Sequence, residues 1–192
     1  DISNFIRENM EVKQAVIDTQ LDKIERLANY IVDVYKNHKK ILIFGNGGSA
    51  ADAQHFAAEL VGRYKMERQG LPAIALTTDT SAITAIANDY GYDEIFSRQV
   101  EALANSGDLV VGITTSGNSP NVILALEKAK KIGCKTVGFG GKDGGKLKDI
   151  ADMTIIVPSS NTPRIQETHI TIIHIVCELL EKEMAPHWRA AA

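Results

Sequence analysis

Residues Ile41 to Arg63, ILIFGNGGSAADAQHFAAELVGR, constrain the fold of this chain more than any other stretch. Four apolar residues run into Gly45-Asn46-Gly47-Gly48-Ser49, and a segment with helical spacing follows. A short, unbroken apolar run reads as a strand buried on both faces, as in a parallel sheet. The glycine turn leaves backbone N–H groups free at the start of the helix, where the helix dipole also favours an anion. Glycine there permits positive φ and a close approach of ligand to backbone. One turn apart on the helix, His55 and Glu59 share a face as an i, i+4 pair. An anion cradle is thus followed, on its own helix, by a candidate base and metal ligand.

The rest of the chain repeats this alternation. Further strands are predicted at Ala73–Leu76, Asp108–Ile113, Lys135–Gly140 and Met153–Val157, with the first at Lys40–Phe44. Helices are predicted after the glycine turn to about Gly62, over Thr80–Ala87 ending at Asn88-Asp89, over Glu94–Ala104, from Pro120 to Ile132, and from Thr162-Pro163 to about Met184. Short apolar strands alternating with helices predict an α/β fold: a doubly wound, five-stranded parallel sheet, flavodoxin-like, covered on both faces. The 192 residues are read as one domain with a sizeable core. Ahead of the first strand, residues 1–38 read as two helices, Asp1–Ile17 and Gln20–His38, the second with an apolar stripe of Leu21, Ile24, Leu27, Ile31 and Val34. They are expected either to cap the sheet or to pack against another subunit. Residues 185–192, APHWRAAA, end in low-complexity alanine and are set aside as a tail.

Charge and composition exclude several function classes. A net charge of −3 and a pI near 6.0 do not suggest a nucleic-acid binder, which would need a basic face, and leave room only for a small local patch. No apolar run approaches the roughly 20 residues of a membrane span, and no leader pattern is visible, so the expected location is the cytoplasm. Cys134 and Cys177 have no CxxC spacing and read as structural or incidental.

A second anion-suited loop follows the third strand. Thr114-Thr115-Ser116-Gly117-Asn118-Ser119 places four hydroxyls in six residues, just before Pro120 at the first position of a helix. Hydroxyls and free amides suit the terminal oxygens of a phosphate monoester. In a sheet of order 2-1-3-4-5 the crevice opens between strands one and three, the strands that these two loops follow. A small phosphorylated ligand is the expected occupant. The competing reading is a dinucleotide, since Gly45-x-Gly47-x-x-Ala50 fits the loose Rossmann fingerprint. The acidic residue that should follow about 20 residues later is best matched by Asp79, more than 30 residues past Gly45. Nucleotide binding would also leave the hydroxyl-rich loop unexplained.

Four segments, GNGGSAADAQHFAAELVGRY, AIANDYGYDEIFSRQV, TTSGNSPNVILAL and RIQETHITIIHIVCELLEKEM, closely resemble the phosphoheptose (sedoheptulose 7-phosphate) isomerase family of sugar isomerase (SIS) domain proteins. The resemblance runs in order from Ile41 to Met184. It implies a substrate site lined by Asn46, Gly47, Gly48 and Ser49, with Asn88 and Asp89 on sugar hydroxyls. It places Thr114, Thr115, Ser116 and Ser119 on the phosphate, and Arg63 near the substrate. The family often has Ser where this chain has Thr114, which keeps the hydroxyl. His55, Glu59, Gln166 and His174 match the family's zinc ligands, and Glu59 and His174 its acid–base pair, with Gln166 also near substrate. The family forms homotetramers and supplies heptose for bacterial surface polysaccharides such as lipopolysaccharide and capsule. A similar-looking protein of the same branch binds the replication initiator DnaA and is not an enzyme, which is the alternative reading.

The implied chemistry, a keto-to-aldo shift through an enediol, requires a base at carbon, a proton donor at oxygen and ideally a cation near the developing oxyanion. Nothing in it calls for a flavin, a nicotinamide or a nucleotide. Gln166 and His174 lie eight residues apart in the sequence, about 12 Å along a helix axis. Either the last helix begins after Gln166, or the site combines residues of two subunits; an oligomer with its site at a subunit interface is the expectation. His38 and His187 read as surface residues, Asp143 as a turn residue, and His169 receives no role.

Overall fold

A computed structural model describes residues 1–190, with side chains through residue 186. Its centre is a five-stranded parallel sheet of order β2-β1-β3-β4-β5. The strands are β1 Ile41–Gly45, β2 Ala73–Ala75, β3 Leu109–Ile113, β4 Lys135–Gly141 and β5 Met153–Val157. The doubly wound, five-stranded expectation holds. Every residue of β1 and β3 is buried, which is why those segments carry no polar alternation.

Successive side chains of a strand point to opposite faces, and the core divides accordingly. Ile41 and Ile43 join Val111, Phe139 and Ile155 on the face covered by α1 Ile2–Lys36, α2 Gly48–Val61 and α7 Thr162–Ala190. Leu42 and Phe44 join Val110, Phe96 and Leu126 on the face covered by α4 Ser97–Leu103, α5 Pro120–Ile132 and α6 Leu147–Ile150, with Ile83 and Ile86 of α3 Thr80–Tyr90 packed at its margin. Each fully buried Leu, Ile or Phe contributes about 1.5–3 kcal/mol relative to exposure. The helix after β1 therefore lies on one face and the helix after β3 on the other. The two strands meet with Gly45 beside Ile113, so a crevice opens at their carboxyl ends.

Several expectations need correction. The N-terminal region is one helix of 35 residues, α1, not two. No glycine or proline lies between Ile17 and Gln20, and the Asp18-Thr19 pair is accommodated: Asp18 accepts from Gln14 one turn back and the Thr19 hydroxyl donates to Ala15 O at 2.7 Å. The second half of α1 caps the sheet, and Gln20 Oε1 accepts from Ile156 N at 3.1 Å, satisfying a backbone donor of edge strand β5. Its first half projects Ile2, Phe5, Ile6 and Met10 into solvent. α7 begins at Thr162, so Gln166 lies inside it, and it continues past Met184 to Ala190, taking in most of the segment set aside as a tail. His187, expected at the surface, lies outside the described side chains, and residues 191–192 lie outside the description altogether. Asn88 and Asp89 belong to α3 rather than ending it, a 3-10 turn occupies Tyr92–Glu94, and α6 adds a short helix after the glycine loop.

His169 fastens α7 to the sheet. Its ring is fully buried, edge-on to Phe139, and its Nε2–H donates to Gly140 O at 2.9 Å. Burial lowers its pKa to about 4, only partly offset by that carbonyl. The unfolded imidazole protonates below its ordinary 6.5, so unfolding takes up a proton between those values and stability is lost as pH falls through the window. Asp52, whose carboxyl burial raises to about 6, acts in the opposite sense over part of the same range. Replacing His169 by Gln keeps an N–H donor but removes the titration. Chemical denaturation from pH 7 to 4 should show His169→Gln losing up to ~3 kcal/mol less than the wild type; parallel profiles would contradict the account.

Candidate active site

The first wall of the crevice is the turn between β1 and α2. Gly47, at φ 55°, directs the chain into α2 without a side-chain cap, which leaves its first N–H groups available. A Cβ at Gly48 would lie 2.6 Å from the Gln166 side-chain nitrogen and 2.7 Å from its oxygen. Glycine at 48 is therefore what lets the amide of α7 close over the start of α2. Asn46 forms a reciprocal amide pair with the buried Asn121 of α5, both bonds 2.9 Å, and its Oδ1 also accepts from Tyr92 at 3.0 Å. This pair ties the two sides of the switch point together. Ser49 is buried one residue into α2.

The second wall is the hydroxyl loop. Thr114 is buried, and its Oγ1 lies 2.8 Å from Ser119 Oγ and 3.3 Å from Ser116 Oγ. Thr115 is half-buried in the same loop. Ser119 occupies the N-cap position of α5 but makes no side-chain cap bond, so its hydroxyl is not committed to the helix. Gly117, at φ 69°, leaves no room for a Cβ against the backbone of Gly144. Leu147 N donates to Gly117 O at 2.9 Å and Lys146 N to Asn118 Oδ1 at 3.0 Å. The glycine loop after β4 thus braces the hydroxyl loop from behind.

Beyond Gln166, α2 and α7 bring three side chains together within one chain. His55 Nε2 lies 2.9 Å from Glu59 Oε1, and His174 Nε2 lies 3.2 Å from His55 Nε2 and 3.9 Å from the same carboxylate oxygen. These atoms all fall within 4.8 Å of one another. A single hydrogen on His55 Nε2 can serve the carboxylate or the other ring, not both, so the three groups present more lone pairs than N–H donors. Two imidazoles and a carboxylate converging in this way suit a divalent cation. Tyr64 lies alongside, its ring centroid 5.9 Å from that of His174.

The remaining expected residues sit at varied distances from this centre. Gln166 is two turns upstream of His174 in one continuous helix, so α7 does not begin after it, and its amide stands over Gly48. Asn88 and Asp89 are exposed on α3 and bonded to each other at 2.8 Å. Arg63 is exposed just past α2, with contacts to Lys65 O and Glu67. Asp52, on α2 between Gly48 and His55, had no part in the sequence reading; its Oδ2 is buried without a hydrogen-bond partner among the described residues. Asn121 and Tyr92 were also missed. Only their distance from Asn46 in space, not in sequence, connects them to it.

Comparison with known proteins agrees with this architecture. The SIS domain family model matches residues 4–141. A phosphoheptose isomerase of Geobacter sp. (strain M21) is 60% identical over 184 residues, 96% of each chain. The chain belongs to the SIS domain family, in its phosphoheptose isomerase branch. Among solved structures, a phosphoheptose isomerase from Francisella tularensis superposes with a TM-score of 0.91 at 38% identity, covering 94% of this chain and 96% of that one. One from Neisseria gonorrhoeae gives 0.90 at 44% identity, covering 94% and 97%. The chain therefore shares its fold with both of these structures. Among the described residues no helix is long and apolar enough to cross a membrane.

The hydroxyl of Ser119, which caps no helix N–H, yields a test of the SIS crevice. A hydrogen bond to a charged group is worth ~1.5–3 kcal/mol. Ser119→Ala should therefore weaken binding of a sugar phosphate by about 10- to 100-fold by isothermal titration, with an unchanged melting temperature. Unaltered affinity would mean that this loop does not hold the phosphate.

Proposed function

We infer that this chain is a phosphoheptose isomerase: it converts sedoheptulose 7-phosphate to D-glycero-D-manno-heptose 7-phosphate through an enediol. The observation that carries this reading is the convergence of His55, Glu59 and His174 in a chain 60% identical to a phosphoheptose isomerase along nearly its whole length. The product would feed heptose precursors of bacterial surface polysaccharide, in the cytoplasm.

Each group has a proposed part. Thr114, Thr115, Ser116 and Ser119 hold the phosphate, and Asn46, Gly47, Gly48 and Ser49 line the sugar. Asn88, Asp89 and Arg63 contact the substrate's outer hydroxyls. Glu59 takes the proton from C1, the electron pair forms the C1–C2 double bond, and His174 gives a proton to the C2 oxygen. Return of the proton from Glu59 to C2, with the O1 proton passing back to His174, restores both groups and leaves the aldehyde at C1. A zinc ion held by His55, Glu59 and His174 would polarise the carbonyl and stabilise charge on its oxygen, and since α7 begins before Gln166, the Gln166 amide oxygen would join that ion from a second subunit. General acid–base groups of this kind contribute about 10²–10⁴-fold each.

We further propose a homo-oligomer, a tetramer as in the resemblance, assembled through the exposed apolar residues of α1. Phe5 and Met10 are 61% and 64% exposed, while Glu8 of α1 pairs with Arg164 of α7 at 3.7 Å. Phe5→Glu with Met10→Glu should sediment as a smaller species than the wild type; an unchanged sedimentation coefficient would remove α1 from the interface. No observation favours the initiator-binding alternative, and the relatives described above bear the isomerase name.

The reading is tested by following sedoheptulose 7-phosphate by NMR in deuterated water with divalent metal supplied. The wild type should form the manno-heptose phosphate and exchange hydrogen at C1. Glu59→Gln, with metal occupancy measured on the same sample, should lose on the order of 10²–10⁴-fold of both. Wild-type exchange in the metal-loaded variant would show that Glu59 is not the base.

A further inference from the structure

The loop after α2 contains a buried ion pair that the chemistry above does not use. Arg68 and Glu181 are 1% and 4% exposed at the side chain, with Nε 3.2 Å from Oε1. Both ends of the pair grip backbone. Arg68 donates from Nη2 to Glu59 O at 2.8 Å and from Nη1 to Leu60 O at 2.9 Å, with longer bonds to Gln69 O at 3.1 Å and Gly62 O at 3.4 Å. The last carbonyls of a helix lack partners within it; here a guanidinium supplies them for α2. Glu181 accepts from three successive amides, Tyr64 N at 3.3 Å, Lys65 N at 3.0 Å and Met66 N at 2.9 Å.

The placement relates the pair to the reacting cluster. Glu59, whose carbonyl Arg68 holds, carries the candidate base. Glu181 lies two turns beyond His174 on α7 and so on the same face. The pair therefore connects the backbone of one member of the cluster to the helix that carries another. Nearby, Lys65 of the same loop pairs with Glu178 of α7 at the surface.

We propose that Arg68 and Glu181 are positioning residues, which set the spacing of α2 against α7 and thereby the geometry of His55, Glu59 and His174 as a metal-binding cluster. The inference rests on the reading of those three residues given above. A purely stabilising pair would alter melting but leave the folded protein's metal site unchanged. A positioning pair alters the site itself, and groups that orient ligands typically account for about 10- to 100-fold in metal affinity or activity.

The experiment uses the full chain and Co²⁺ alone, read by its visible absorption, beside steady-state kinetics. Arg68→Lys keeps the charge but cannot hold Glu59 O, Leu60 O and Glu181 together. It should remain folded by circular dichroism, bind Co²⁺ about 10-fold more weakly with an altered spectrum, and lose kcat about 10-fold or more while KM for the sugar phosphate stays within about 2-fold. Glu181→Gln, which retains one acceptor oxygen for the loop amides, should show the same split and serves if Arg68→Lys does not fold. Lys65→Ala, breaking the neighbouring surface pair, should match the wild type in all three. Wild-type Co²⁺ affinity, spectrum and kcat in folded Arg68→Lys or Glu181→Gln would overturn the positioning role and leave the cluster's reading intact. A wild type that gives no Co²⁺ spectrum, while His55→Ala leaves turnover unchanged, would overturn the cluster's reading and the positioning role with it.

Discussion

The packing of α2 against α7 on one face of the sheet is the contact on which the rest of the site depends. α2 enters from a glycine turn at the end of β1, and α7 crosses it after the last strand. Gln166 stands over Gly48 at one end of the contact, His55, Glu59 and His174 meet in the middle, and Glu181 holds the loop beyond α2 at the other. A side chain at position 48 or an unpaired charge at position 181 would force the helices apart. Close packing leaves such shifts few ways to relax, and leaving one member of a buried ion pair alone is costly.

The crevice assigns different physical tasks to its two walls. The hydroxyl loop and the start of α5 offer donors and the positive end of a helix to an anion, in a chain whose overall charge is −3. Attraction for a phosphate is thus local rather than a property of the whole surface. The opposite wall presents lone pairs from two imidazoles and a carboxylate, the arrangement that suits a cation and proton transfer. Asn46 and Asn121 join the walls from β1 to α5, so the distance between anion cradle and reacting groups is fixed by the sheet. Such fixed separation is what holding a substrate by one end while reacting at the other requires.

The parts legible in the sequence are those with a local cause. Glycine turns, hydroxyl-rich loops and unbroken apolar strands act within a few residues, so β1, α2, β3 and α5 could be read directly, whereas the strand order came in only with the flavodoxin-like sheet. The start of α7 at Thr162 was legible from Thr162-Pro163, and it leaves the shared-subunit alternative for joining Gln166 and His174 at one ion. The continuous α1 was missed because a charged stretch without glycine or proline resembles a break only in composition. Contacts across long separations had no local signal: Asn46 with Asn121, Arg68 with Glu181 and Asp52 in its buried position depend on tertiary packing. His55 and Glu59 were legible from their i, i+4 spacing as a candidate base and ligand on one helix face, but only the family resemblance associated His174 with them.

The central claim is that one chain builds a cation-binding cluster on α2 and α7 beside a phosphate-binding loop at the β1–β3 crevice. Anomalous diffraction from crystals grown with zinc and soaked with the ketose phosphate tests both halves in one measurement. The account predicts a zinc peak bounded by His55, Glu59 and His174 of the same chain, with the phosphate against Thr114, Ser116 and Ser119 and the C1–C2 end of the sugar toward the metal. Zinc bound elsewhere, or phosphate density away from that loop, would contradict it.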